Sequence, residues 1–202
     1  MKPALAAALA FLLAAILWSY VGAHDRLTWW LEALPALIAL VLLAATWRRF
    51  PLTPLAYGLI WGHCLILLVG AHYTYAEVPL FNWLRDAWDL SRNHYDRIGH
   101  FAQGFVPAIV ARELLIRTSP LAAGRWLAAI VTLSCLGISA AYELIEWAAA
   151  ASTGESATAF LATQGDVWDT QKDMALALVG AIAAQLALGR IHDRQIAGLR
   201  RP

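Results

Sequence analysis

The sequence predicts an all-α, polytopic membrane protein of about six transmembrane helices. Two observations carry that expectation. The 202-residue chain is 60% hydrophobic and only 14% charged, with a mean hydropathy of +0.58, whereas soluble domains carry roughly 25% charged residues. Its apolar residues also gather into long runs, and a helix needs about 20 of them to cross a bilayer core of about 30 Å. No strand-like alternation is visible, and lipid admits only helices and closed barrels.

The predicted spans are 3–23, 29–47, 55–73, 98–116, 125–151 and 173–191, within a single transmembrane domain, 1–202. The first follows Lys2, and Val21-Gly22-Ala23 at its end resembles a signal-peptide cleavage site. Its apolar run is longer than the roughly 7–15 residues of a signal peptide, so it is read as a retained helix; cleavage would leave five spans. The second contains Glu32 and Pro35, and the third ends at His72. The fourth is the most polar, from Asp96 and His100 to Arg117. The fifth begins at Arg125 and the sixth reaches Arg190. Leu80–Leu90, in the loop after the third span, reads as a short interfacial helix with Trp83 and Trp88 as anchors.

The positive-inside rule sets the orientation. With the N-terminus inside, only Arg26, Arg85, Arg92, Arg97 and Lys172 among the basic residues lie on the outer side, and only Glu113 and Asp193 among the acids lie on the inner side. Both biases predict cytoplasmic N- and C-termini, for a chain read as a bacterial inner-membrane protein. The net charge of +1 and the lack of a basic run exclude a nucleic-acid partner. Cys64 and Cys135 sit in apolar runs without CxxC or zinc-type spacing, as small buried side chains do.

Each helix is also a ruler, at about 1.5 Å per residue. Measured from Arg117, Arg125 and Arg190 at the inner ends, His100, Glu143 and Asp173 lie about 25–27 Å away, at one depth just within the outer surface. Local spacings repeat the pattern. Asp96 and His100 are i,i+4, with Gln103 continuing the face; Glu143 and Glu146 are i,i+3; Asp169 and Asp173 are i,i+4, with Asp166 nearby. Ionisable residues inside a span are expensive and face the protein interior or a wet cavity. Carboxylates that crowd together need a cation, an Arg or a proton.

A divalent metal, Mg, Mn, Ca or Zn, fits carboxylates joined by one imidazole. The candidate ligands are Asp96, His100, Glu143, Glu146, Asp169 and Asp173. His100, Glu143 and Glu146 are the candidate catalytic groups. Glu32, His72, Gln103 and Asp166 are accessory. The plainer reading is that these acids are solvated charges at helix ends, favoured there by the helix dipole. Glu113 and Arg117, i,i+4 near the inner end, form a structural pair. No GxSxG, HExxH or Walker sequence is present.

Several segments carry a family resemblance: Phe50-Pro51-Leu52-Thr53-Pro54, His72-Tyr73-Thr74-Tyr75, Tyr95-Asp96-Arg97-Ile98-Gly99-His100-Phe101, Tyr142-Glu143-Leu144-Ile145-Glu146-Trp147 and the run from Thr163 to Met174. In these the chain resembles the YjdF family of bacterial inner-membrane proteins, from about His24 to Gln195. That family is a domain of unknown function, so the resemblance implies the membrane class and no activity. A weaker likeness, in Asp96–His100, Glu143–Glu146 and Asp169–Asp173, is to VanZ-like membrane proteins. Arg97 stands where their Lys would be, and no Glu-x-x-Gln follows Glu143. That likeness implies at most a link to the cell envelope.

Three functions are compatible with this pattern. One is an envelope enzyme whose metal acts on a lipid headgroup or lipid-linked precursor, with His100 or Glu146 as general base. The second is a non-catalytic protein or transporter that binds or passes a cation or proton. The third is a scaffold whose acids only secure helix ends. Membrane lipids are partners in each case.

Overall fold

The structure, a computed structural model, describes residues 3–153 and 163–199. The described residues form seven α-helices: α1 (Pro3–Tyr20), α2 (Arg26–Thr46), α3 (Pro54–Tyr73), α4 (Pro79–Ala87), α5 (Tyr95–Thr118), α6 (Arg125–Thr153) and α7 (Asp169–Leu199), with a 3-10 turn at Tyr75–Glu77. No strand occurs among them.

Four of these helices are long and apolar enough to cross a membrane: Arg26–Thr46, Pro54–Tyr73, Arg125–Ser152 and Asp169–Leu199. α1 and α5, both expected as spans, differ from them. The apolar run Ala6–Tyr20 of α1 is shorter, and α5 is broken by Asp96, Arg97, Arg112, Glu113 and Arg117. The short helix expected at 80–90 forms at Pro79–Ala87, with Pro79 in its first turn, where a missing N–H costs nothing. Leu80 and Trp83 on it are exposed.

α7 starts at Asp169 rather than 173 and continues to Leu199 rather than 191. An acid in its first turn suits the helix dipole. Its last turns are not apolar enough to read as a span, yet Gly189, His192 and Ile196 keep one face buried.

The chain divides into two compact units. The first comprises Met1–Ala45, Trp61–Gly99 and Glu146–Val167; the second comprises Thr46–Ile60, His100–Ile145 and Trp168–Pro202.

In the first unit, Ser19 is a hub. Its hydroxyl donates to the Leu68 carbonyl at 2.6 Å and accepts from the Trp29 indole at 2.8 Å. Asp25 starts α2 by accepting from the Thr28 N–H at 2.7 Å, the N-cap arrangement. Tyr75, Val78 and Tyr95 form a small buried cluster. The Tyr95 hydroxyl donates to the Ile66 carbonyl at 2.8 Å.

In the second unit, α5 and α7 pack backbone to backbone. A Cβ on Gly104 would run into the backbone of Ala177, and one on Gly180 would run into the backbone of Phe101. Ala177, Ala181 and Ala184 on the same face of α7 are fully buried. Small residues that permit close approach are the usual adhesive between helices in lipid.

The same unit holds a buried polar network. Glu113 is fully buried and accepts from the Thr53 N–H at 3.0 Å, the Thr53 hydroxyl at 2.7 Å, Arg117 Nη1 at 2.6 Å and His192 Nε2 at 3.0 Å. The expected Glu113–Arg117 pair is therefore present. Arg117 also donates to the Pro51 carbonyl at 2.6 Å and lies over the Phe50 ring at 3.7 Å. The Phe50–Pro54 segment is thus tied to α5.

Candidate functional site

The α5–α7 contact sets the geometry of the second unit's acidic group. Gly104 and Ala177 touch one helical turn from His100 and Asp173 respectively. Close backbones at that level bring the next turn of each helix together. His100 and Asp173 accordingly offer ligand atoms within 4.8 Å of one another. Both are buried, as are Glu143 on α6 and Asp169 on the first turn of α7.

His100 is oriented by its own helix. Its Nδ1 lies 3.0 Å from Gln103 Oε1. With Nδ1–H donating to that carbonyl oxygen, Nε2 carries the lone pair in the neutral ring and a second N–H in the protonated one. Nε2 then faces Glu143 Oε1 at 3.7 Å, with both side chains 7% exposed. That separation is too long for a hydrogen bond. Two ligands of one ion, each at about 2.1 Å, lie up to about 4.2 Å apart. One imidazole with carboxylate oxygens suits a hard or borderline divalent ion. A His that donates its other ring N–H to a carbonyl is held as metal-ligating histidines usually are. One turn before Glu143 on α6, fully buried Ser139 has no hydrogen-bond partner for its hydroxyl among the described residues. Asp96 precedes His100 by one turn on the same face of α5.

The first unit holds the remaining predicted residues. Glu32, on α2, is 2% exposed, and neither of its carboxylate oxygens has a hydrogen-bond partner among the described residues. Asp96, Glu146 and Asp25 are the charges that bear on it. Asp96 pairs with Arg92 at 3.4 Å. Asp166 pairs with Arg97 at 2.8 Å and Arg92 at 3.7 Å, so this accessory acid is neutralised by arginines. Glu146 is half-buried. His72 stacks on Trp18 with ring centroids 4.3 Å apart, and its Nδ1–H donates to the Ser19 carbonyl at 3.0 Å. It lines a recess of about 450 Å³ with His24, Thr74 and Glu77.

Sequence reasoning passed over the amide lock beside Arg92. The Asn93 N–H donates to Gln164 Oε1 at 2.8 Å, and Gln164 Nε2 donates back to the Asn93 carbonyl at 2.9 Å. This fixes the start of α5 to the run before α7, and only a pairing over that sequence distance would have revealed it. His94, in the same segment, has its pKa lowered from the usual imidazole value by burial and by Arg97 and Arg92.

Over residues 4–194 the chain matches the family described as "Predicted membrane protein (DUF2238)". It is similar to the "Inner membrane protein YjdF" of Escherichia coli (strain K12), 50% identical over 181 residues, covering 90% of this chain and 87% of that protein. No solved structure matches.

Proposed function

This chain belongs to the DUF2238 family of predicted membrane proteins, and on that premise we propose that it binds a divalent cation at His100, Glu143 and Asp173. The reading includes six spans in an inner membrane, cytoplasmic termini, and a site just within the outer surface. The charge bias and the inner-membrane relative support that placement.

The observation that carries the proposal is the pair His100 Nε2 and Glu143 Oε1, buried and facing each other at 3.7 Å. A buried carboxylate facing an imidazole nitrogen is stabilised by a positive charge between them, either a proton on the ring or a metal ion that both atoms ligate; a neutral ring leaves that place to the metal. Asp173 supplies a second carboxylate. A bound cation would polarise a phosphoryl or acyl oxygen of a lipid headgroup or lipid-linked envelope substrate. Cation binding ranks ahead of catalysis here.

Titration of the purified, detergent-solubilised, chelator-treated protein with Zn2+ and Mn2+ by calorimetry tests it. One ion per chain is expected, with affinity at least about ten-fold weaker in His100→Ala and Glu143→Gln. Absence of binding, or binding that both variants retain, rejects the site.

A second reading, uptake of a proton or small cation without catalysis, is favoured by Glu32. A carboxylate so buried, with no hydrogen-bond partner among the described residues, is costly unless it holds a proton or a cation. Proton or cation flux into liposomes, with Glu32→Gln as the control, separates this reading from the first.

A further inference from the structure

We propose that a recess at Arg112 and Arg190 in the second unit binds the phosphate of an anionic phospholipid whose acyl chain lies along α7. The proposal is independent of the cation site. The recess has a volume of about 600 Å³ and is lined by Arg112, Gln185, Gly189, Arg190 and Asp193, among others. A Cβ on Gly189 would meet nothing within 4 Å, so the recess is open there.

The cationic wall is built rather than incidental. The Arg112 side chain is 7% exposed and held by Asp193 Oδ1 at 2.7 Å and by His192 Nδ1 at 3.4 Å. His192 in turn donates to Glu113. A guanidinium has five N–H donors in a fixed fork, and these two contacts leave donors for an anion. The Gln185 amide nitrogen is committed to the Thr132 hydroxyl at 2.9 Å and the Ala128 carbonyl at 3.3 Å. The arginines therefore supply the recognition. Asp193, 45% exposed, opposes an anion.

The source of the phosphate follows from the helix face. Val179, Ile182 and Leu186 are 53%, 43% and 82% exposed. With Arg190 they fall at intervals of three and four, one stripe along α7. An apolar stripe that ends on an exposed arginine matches an acyl chain that ends on a phosphodiester. Free phosphate would use the cation and leave the stripe idle. Basic recesses between helices of membrane proteins commonly hold anionic headgroups.

Native mass spectrometry of the full-length protein, released from membranes of equal phosphatidylglycerol and phosphatidylcholine, tests the idea. Wild-type protein retains phosphatidylglycerol preferentially. Arg190→Gln lowers the preference about five-fold, the equivalent of about 1 kcal/mol per basic residue. Arg125→Gln, outside the recess, leaves it unchanged. Asp193→Asn raises it, since a repelling carboxylate is removed; a purely structural Arg112–Asp193 pair predicts no rise. An unchanged preference in Arg190→Gln, or a fall in Asp193→Asn, overturns the proposal. Displacement of the lipid by millimolar inorganic phosphate overturns the assignment to a lipid source.

Discussion

His100 Nε2 and Glu143 Oε1 face each other at 3.7 Å from α5 and α6, both buried. The imidazole is held there by Gln103, one turn further along its own helix. Replacing Gln103 with Leu should therefore weaken cation binding about 10–100-fold, as loss of a ligand-orienting partner does elsewhere. Gln103→Glu keeps an acceptor for Nδ1–H and should retain affinity. Calorimetric titration of the two variants gives the comparison; equal losses in both would mean that Gln103 does not orient the ring.

The α5–α7 contact should resist any added side-chain atom. Gly104→Ala places a methyl group against the Ala177 backbone, which cannot swing aside as a side chain can, and should destabilise the fold by about 1–3 kcal/mol. Gly137→Ala in the α6 interior meets nothing within 4 Å and should stabilise slightly, by about 0.4–1 kcal/mol. Tryptophan-monitored unfolding in detergent should rank the two with opposite signs.

Glu113 anchors four donors with no exposure to solvent. Glu113→Ala leaves the Thr53 N–H without its acceptor and Arg117 without its carboxylate partner, and should cost about 3–5 kcal/mol. Thr53→Val removes one hydroxyl donor and should cost about 1 kcal/mol. If unfolding measurements give the two variants similar losses, the network is weaker than its geometry implies.

The Asp25 cap gives a pH dependence with a definite sign. The Thr28 backbone N–H, foremost, lowers the Asp25 pKa below the usual carboxylate value against the opposing effect of burial. A group lowered in the folded state stabilises above the unfolded pKa of about 3.9 and loses that contribution as pH falls through the folded value. Asp25→Ala should cost about 1 kcal/mol at pH 7. That difference between variant and wild type should shrink towards pH 3, and a constant gap across the range would contradict the cap.

Much of the architecture was legible in the sequence. The apolar runs located α2, α3, α6 and the body of α7 because hydropathy is a property of a contiguous segment. The short helix after α3 was legible in the segment around Trp83. Helix ends were less so: the last turns of α7 are polar in composition, and only burial of His192 and Ile196 shows why they continue. Within the candidate site, local spacing paired Asp96 with His100 and Asp169 with Asp173. Spacing could not show that Asp166 is spent on Arg97 and Arg92, that His72 turns to Ser19 and Trp18, or that Glu113 and His192 share a buried network.

The sequence by itself determined that this chain is helical and enters a bilayer, since each run of about 20 apolar residues must satisfy its own backbone in lipid. Only the tertiary structure decided which acids meet an imidazole. That choice depends on how closely two backbones approach, and Gly104 against Ala177 sets the approach between residues far apart in the chain. Contacts across such distances depend on shape matching between helix faces, which no single segment encodes.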